Sequence, residues 1–309
     1  MSVRCDLPEK RPLHALVSNA PCSWGVEFAD DPRNPPWIRV LDEAAAAGYR
    51  GIELGPLGFM PENPEVLGEA LAERGLSLVA GVVFRPFHDP EKWSEVKDVV
   101  ERTCRVLTAH GAKRIVFIDS ISLRRASTAG RSSEAWRLAG IERTSFFERL
   151  RSAARLAVEE YGLEASIHAH AAGFVEFEDE LNAVLDAIDP QILSICLDTG
   201  HCVYAGFDPI SFYRSHADRV AYLHFKDVDP SVRDRVIANR TGFYEACASG
   251  LFCNLGKGAV NFPSLRDALE ASGYSGWATI EQDCDPAGAT SPLDDAQMNL
   301  AYLRAIGLA

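Results

Sequence analysis

Short runs of aliphatic and β-branched residues alternate with longer runs whose apolar positions recur at helical spacing, and the alternation holds to the end of the chain. The short runs are 15–20 (ALVSNA), 51–55 (GIELG), 76–84 (LSLVAGVVF), 115–119 (IVFID), 165–170 (ASIHAH), 193–198 (LSICLD), 220–227 (VAYLHFKD) and 277–281 (WATIE). Helices are expected at 36–47, 63–74, 90–110, 141–161, 178–188 and 292–306. Glycines in AAAAGY, AERGL, TAHGAK, EEYGL and EASGY stand just before strands, where a left-handed residue ends a helix. Eight such strand–helix units predict parallel pairing through right-handed crossovers. Closure removes both sheet edges, so the expected fold is an α/β, single-domain (β/α)8 TIM barrel over 1–309, with 1–12 a flexible N-terminal segment. An open doubly wound sheet fits less well, because no G-x-G-x-x-G follows the first strand. For the same reason no nucleotide cofactor is expected. The two long excursions, 120–140 and 228–261, each follow a strand's C-terminal end and belong on the catalytic rim.

Composition narrows the partners. The 309 residues carry 44 acidic against 31 basic side chains, a net charge of −13. That balance repels phosphate backbones and anionic lipid, which argues against nucleic acid and membranes. No apolar run approaches the roughly 18–20 residues that cross a bilayer, and MSVRCDLPEKRPLHALV lacks the apolar stretch of a signal peptide. The eight cysteines form no C-x-x-C pair. They read as reduced, partly buried thiols of a cytoplasmic protein.

Active-site residues of a barrel project from strand C-termini. Glu53 ends the second strand, His168 and His170 the fifth, and Asp198 the sixth, with His201 just beyond. His224, Lys226 and Asp227 end the seventh, and Glu281 the eighth. Period-two alternation puts His168 with His170, and His224 with Lys226, on one face, and turns Phe225 outward. Each of these residues alone has an ordinary reading: a hydrogen-bonded rim histidine, a turn aspartate, a snorkelling lysine. Five strand ends converging is different, because unpaired charge in a barrel mouth is costly. A mixed imidazole and carboxylate set is what a divalent transition metal takes. Trp24, Phe59, Phe84 and Trp136 are candidates for an apolar wall against a sugar ring, and Arg85, Arg124 and Arg125 for gripping an anion. LFCNLGKGAVNF is expected to be a tight turn packing under the last helices.

In that order, LDTGH, LHFKD, LGKGAVNFPSL and IEQD resemble the xylose-isomerase-like barrel superfamily of sugar phosphate isomerases, epimerases and dehydratases. NAPCSWGV at 19–26, VLDEAAAAGYRGIELGPLGFMP at 40–61, the histidine-rich fifth strand and EQDCDP at 281–286 are similar to its inosose dehydratase branch. The resemblance implies Asp198, His224 and Glu281 as metal ligands. Where the superfamily places a glutamate on strand five, this chain has His168 and His170; His168 matches the fourth ligand, with His170, or three residues and water, as alternatives. It further implies Glu281 as base, His201 and His170 as acid–base groups, and His201, Glu53, Lys226 and Trp24 as substrate contacts. The implied cofactor is Mn2+ or Co2+, with Zn2+ or Fe2+ as alternatives. The implied reaction is dehydration of a polyhydroxylated cyclic ketone in inositol catabolism, by a homodimer or homotetramer. Ketose 3-epimerisation or sugar isomerisation on the same frame, a DNA-repair endonuclease and an inactive binding barrel are the competing readings.

Overall fold

In the computed structural model, residues 15–283 and 291–309 are described. The 1–12 segment, and Cys284, Asp285 and Pro286 of the EQDCDP run, lie outside them. Strand β1 (Leu16–Asn19) pairs with β2 (Gly51–Ile52) on one side and with the last strand, β8 (Trp277–Ile280), on the other. The third strand, β3, runs as two pieces, Ser77–Leu78 and Ala80–Arg85. The first pairs with β2 and the second with β4 (Arg114–Asp119). Between them the Val79 N–H still donates to Ile52 O at 3.0 Å, so the ladder turns a corner there and does not end. β5 (Glu164–Ile167), β6 (Ser194–Asp198) and β7 (Val220–Phe225) complete the ring, each parallel to both neighbours. The fold is the α/β TIM barrel that the periodicity predicts.

Alternation divides the apolar residues between two cores. On β4, Val116 and Ile118 point into the barrel, where they pack with Ala80, Cys196 and Tyr222. Ile115 and Phe117 point out into the larger core under the helices. There the helices supply Val40, Leu41 and Ala44 from Trp37–Ala47, and Val96, Val100 and Leu107 from Trp93–Ala109. These recur at the three- and four-residue spacing that keeps one helical face inward. The filled lumen forms the floor of the site. All five helix-ending glycines have positive φ, from 62° at Gly75 to 99° at Gly48.

The differences from the expected elements lie at strand ends and in the rim. β2 ends at Ile52, β5 at Ile167 and β7 at Phe225, each earlier than its apolar run suggests. Helices Thr199–Ala205, Pro209–His216 and Phe262–Ser272 were not anticipated. The first starts directly on a strand tip, with Asp198 as its cap, so no loop signal announces it. The 228–261 excursion folds as helices Pro230–Ala238 and Phe243–Ala248, and strand Phe252–Cys253 antiparallel to Asp227–Val228.

Asp227 organises this rim and takes no part in the cavity. Its Oδ1 accepts from the N–H of Val228 and Val260, both at 2.9 Å, and its Oδ2 from Gly256 at 2.9 Å and Gly258 at 3.0 Å. A Cβ on Gly258 would sit 2.3 Å from Asp227 Oδ1, which explains the second glycine of LGKGAV. The expected turn against the last helix forms: Leu255 N–H donates to Asn299 Oδ1 at 2.9 Å. Arg125 corrects another expectation. It is fully buried, donates to Glu180 Oε1 at 2.6 Å and Glu176 Oε2 at 3.0 Å, and staples the 120–140 excursion down. Arg124 lies over the Trp136 ring at 4.6 Å.

Candidate functional site

The C-terminal mouth of the barrel holds a cavity of about 540 Å3. Glu53, His170, Lys226 and Glu281 reach it from the strand tips, and Val82 and Phe84 of β3 form an apolar side. At its base His168, Asp198, His224 and Glu281, from β5 to β8, each offer one donor atom, all within 4.8 Å of one another. His170 is not in that group. It lies beside it, its ring centroid 5.9 Å from that of His168. The structure therefore brings His168 and not His170 among the other three donors.

Hydrogen bonds fix the tautomer of His224. Its Nε2 lies 3.0 Å from Glu53 Oε1, and a carboxylate oxygen accepts, so Nε2 carries the proton. The Nδ1 faces Glu281 Oε2 at 3.2 Å, and although burial disfavours a charged imidazole, Cys196, Glu281 and Glu53 hold its pKa well above the usual histidine range. Two acceptors facing each other repel unless a proton or cation lies between them. His168 Nε2 and Asp198 Oδ2 also face each other, 3.4 Å apart, and neither His168 nitrogen has a hydrogen bond among the described residues. His168 Nε2, Asp198 Oδ2 and His224 Nδ1 are buried and hydrogen-bond to nothing among the described residues. Buried polar atoms are nearly always paired, so three orphans aimed at one point need an occupant. Ligands about 2.0–2.2 Å from a tetrahedral ion stand about 3.4 Å apart, which these spacings match. The residues fit a divalent cation.

Support for this floor runs through the barrel interior. Tyr222 donates to Glu53 Oε1 at 2.7 Å, and therefore accepts from Thr279, which accepts in turn from Ser18 at 2.6 Å. This hydroxyl chain holds Glu53 against His224, the carboxylate–histidine arrangement that orients metal-binding imidazoles. Asp198 is fixed by the His201 N–H on Oδ1 at 2.7 Å, which leaves Oδ2 for the site.

Lys226 enters beside the donors. A Cβ at Gly200 would lie 2.6 Å from Lys226 Cγ, so the glycine of DTGH makes room for the stem. The ammonium lies 2.9 Å from Asp283 Oδ2, 3.1 Å from Glu281 Oε2 and 3.6 Å from Asp198 Oδ2. Burial disfavours its charge, yet these carboxylates hold its pKa well above the usual lysine range. Burial likewise raises Asp198 and Glu281, but Lys226 and His168 bring Asp198 below the ordinary carboxylate range, and His224 and Lys226 bring Glu281 well below it. His170 is pushed down to about 3 by burial, with His168 and Lys226 adding to it. Its Nδ1 donates to Ala171 O at 2.8 Å, so Nε2 is an acceptor. His201, also pushed well down by burial, is the opposite tautomer: Nδ1 accepts from Ala171 N–H at 3.2 Å, and Nε2–H lies 3.4 Å from Lys226 Nζ.

Of the expected contacts, Glu53, His170, Lys226 and Glu281 line the cavity, with His201 stacked 4.2 Å from His170. Trp24 does not. It is buried in the core, its indole N–H donating to Glu43 Oε2 at 2.7 Å. Phe59 and Trp136 also lie outside the cavity lining, whereas Phe84 and Arg85 are part of it. Sequence reasoning missed Tyr222, Asp283, Glu27 and Tyr244. Period-two counting from His224 and Glu281 finds the first two. No local signal finds the others, which come from loops.

The family described as xylose isomerase-like TIM barrel matches residues 41–306. The chain is 29% identical over 276 residues to an inosose dehydratase of Geobacillus thermodenitrificans (strain NG80-2), covering 85% of this chain and 87% of that one. It is 30% identical over 276 residues to an inosose dehydratase of Lacticaseibacillus casei, covering 86% and 88%. Among solved structures it resembles the IolI protein with a binding zinc atom, with a TM-score of 0.71, 14% identity, and 94% and 97% of the two chains covered.

Proposed function

This chain belongs to the xylose isomerase-like TIM barrel family, and on that premise we propose that it is a metal-dependent hydro-lyase that removes water from a cyclic polyol ketone of the inosose type. The observation that carries the reading is the set of four buried donors converging beneath a cavity that also holds a fixed ammonium. The relatives named inosose dehydratase support the substrate class.

His168, Asp198, His224 and Glu281 would hold the cation, Mn2+ or Co2+ in this reading. Bound there, it would supply Lewis acidity at the substrate carbonyl, a contribution of several kcal/mol. Glu281 removes the proton α to the carbonyl, and Lys226 faces the negative charge that develops. His170 Nε2 accepts from a ring hydroxyl, with His201 packed behind it outside the cavity lining. The electron pair left on the α-carbon forms the double bond as the β-carbon–oxygen bond breaks. Acid–base catalysis of this kind contributes roughly 10²–10⁴-fold per positioned group.

The purified protein with Mn2+ or Co2+ is incubated with an inosose while ultraviolet absorbance follows the conjugated enol or dione. Dehydration is expected, and Glu281→Gln should slow it by at least about 10²-fold with an unchanged circular dichroism spectrum. Absence of any chromophore with either metal, or NMR showing only an inverted ring carbon, overturns the reading.

A further inference from the structure

The dehydration proposed above needs a proton for the departing hydroxyl, and the groups on the cavity floor are poorly placed to give one. The His170 nitrogen that remains free carries a lone pair. The Lys226 ammonium is committed to Asp283, Glu281 and Asp198. His201 lies outside the cavity lining, its Nε2 3.4 Å from the Lys226 ammonium. Across the same cavity stands a carboxyl with none of these constraints. Glu27 follows the left-handed turn at Gly25 and lines the cavity. Its Oε1 accepts from the Tyr244 hydroxyl at 2.7 Å, and among the described residues Oε2 accepts nothing.

Tyr244 is half-exposed, next to a buried neighbour. It sits on helix Phe243–Ala248, whose first residue packs 5.2 Å from the His170 ring and 5.7 Å from that of His201. The pair thus ties the loop after β1 to the excursion after β7, and both residues line the cavity.

We propose that Glu27, clamped by Tyr244, is the proton donor to the leaving β-hydroxyl. The inference rests on the dehydratase reading. As the β-carbon–oxygen bond breaks, the Glu27 carboxyl proton passes to the departing oxygen, which leaves as water, and Glu27 remains as carboxylate. The α-proton held by Glu281 and the proton lost by Glu27 both exchange with solvent between turnovers, so the cycle balances without a co-reactant. Electrostatics agree with the geometry. Burial raises the Glu27 carboxyl to about 7, against the lowering effect of the Tyr244 hydrogen bond; Asp283 and Asp31 raise it further and Lys226 lowers it. Near neutral pH a protonated form is therefore available. Protonated Glu27 is the working form, so turnover should fall as pH rises through about 7.

The test uses the full chain loaded with Mn2+ and an inosose in D2O. NMR follows exchange of the α-proton, and absorbance follows elimination. Glu27→Gln should slow elimination by about 10²–10⁴-fold while α-exchange continues. With a β-fluoro analogue, whose fluoride leaves without a proton, the variant should approach wild-type rates. Tyr244→Phe removes the bond that lowers Glu27, so the alkaline limb of its pH–rate profile should move to higher pH. Elimination at the wild-type rate in Glu27→Gln, loss of α-exchange in that variant, or an unmoved limb in Tyr244→Phe overturns the assignment. A wild-type protein that neither exchanges nor eliminates sinks the dehydratase reading instead, so the two failures are distinguishable.

Discussion

Two buried aspartates, Asp198 and Asp227, leave the barrel at neighbouring strand ends and meet opposite fates. Asp227 spends both oxygens on four backbone N–H groups of its own rim. Asp198 spends Oδ1 on the His201 N–H and turns Oδ2, without a hydrogen bond among the described residues, toward His168 Nε2 at 3.4 Å and Lys226 Nζ at 3.6 Å. Both carboxylates are desolvated, so burial and charge alone do not mark a site. The mark is a buried oxygen without a hydrogen bond, set beside buried imidazole nitrogens that also lack one, an arrangement that favours a cation between them. Glu53 lies between the two cases, with Oε1 committed to Tyr222 and His224 and Oε2 bare.

The comparison breaks most sharply at Asp198. Asp198→Asn removes a ligand charge while keeping the shape. Metal content by plasma mass spectrometry should fall from stoichiometric to near zero, and activity by at least about 10³-fold. Metal at one hundred times its dissociation constant should stabilise the wild type by about 2.7 kcal/mol and this variant hardly at all. Stoichiometric metal in Asp198→Asn would show that the orphaned oxygen is incidental. Asp227→Asn should behave in reverse. Its amide NH2 faces two backbone N–H groups that need acceptors, so chemical denaturation should show a loss of about 2–4 kcal/mol with metal content retained. The smallest effect falls on the intermediate case. Glu53→Gln should weaken metal binding about 10–100-fold through the orientation of His224, read by competition with a chelator, with little change in stability without metal.

How much of this was legible beforehand follows from how local each cause is. Inward-facing His224 and Lys226, and outward-facing Phe225, follow from strand alternation, and the strand tips carrying Asp198 and Glu281 from the apolar runs that end there. Tyr222 and Asp283 obey the same alternation and were available to it. Trp24 misled, because what holds it in the core, the hydrogen bond to Glu43 on helix Trp37–Ala47, forms only on folding. Arg125 misled too: its carboxylate partners Glu176 and Glu180 lie some fifty residues away in sequence.

The sequence by itself determined the barrel and the chemical types at its mouth, since period-two and period-3.6 patterns, helix-ending glycines and strand-end residues act over one or two turns of chain. Tertiary structure alone decided that Asp227 closes on its own loop and that Glu27 and Tyr244 meet at the cavity. Each of those outcomes depends on a distance between segments far apart in the chain, and hydrogen-bond saturation, which separates a spent carboxylate from an open one, exists only once those distances are set.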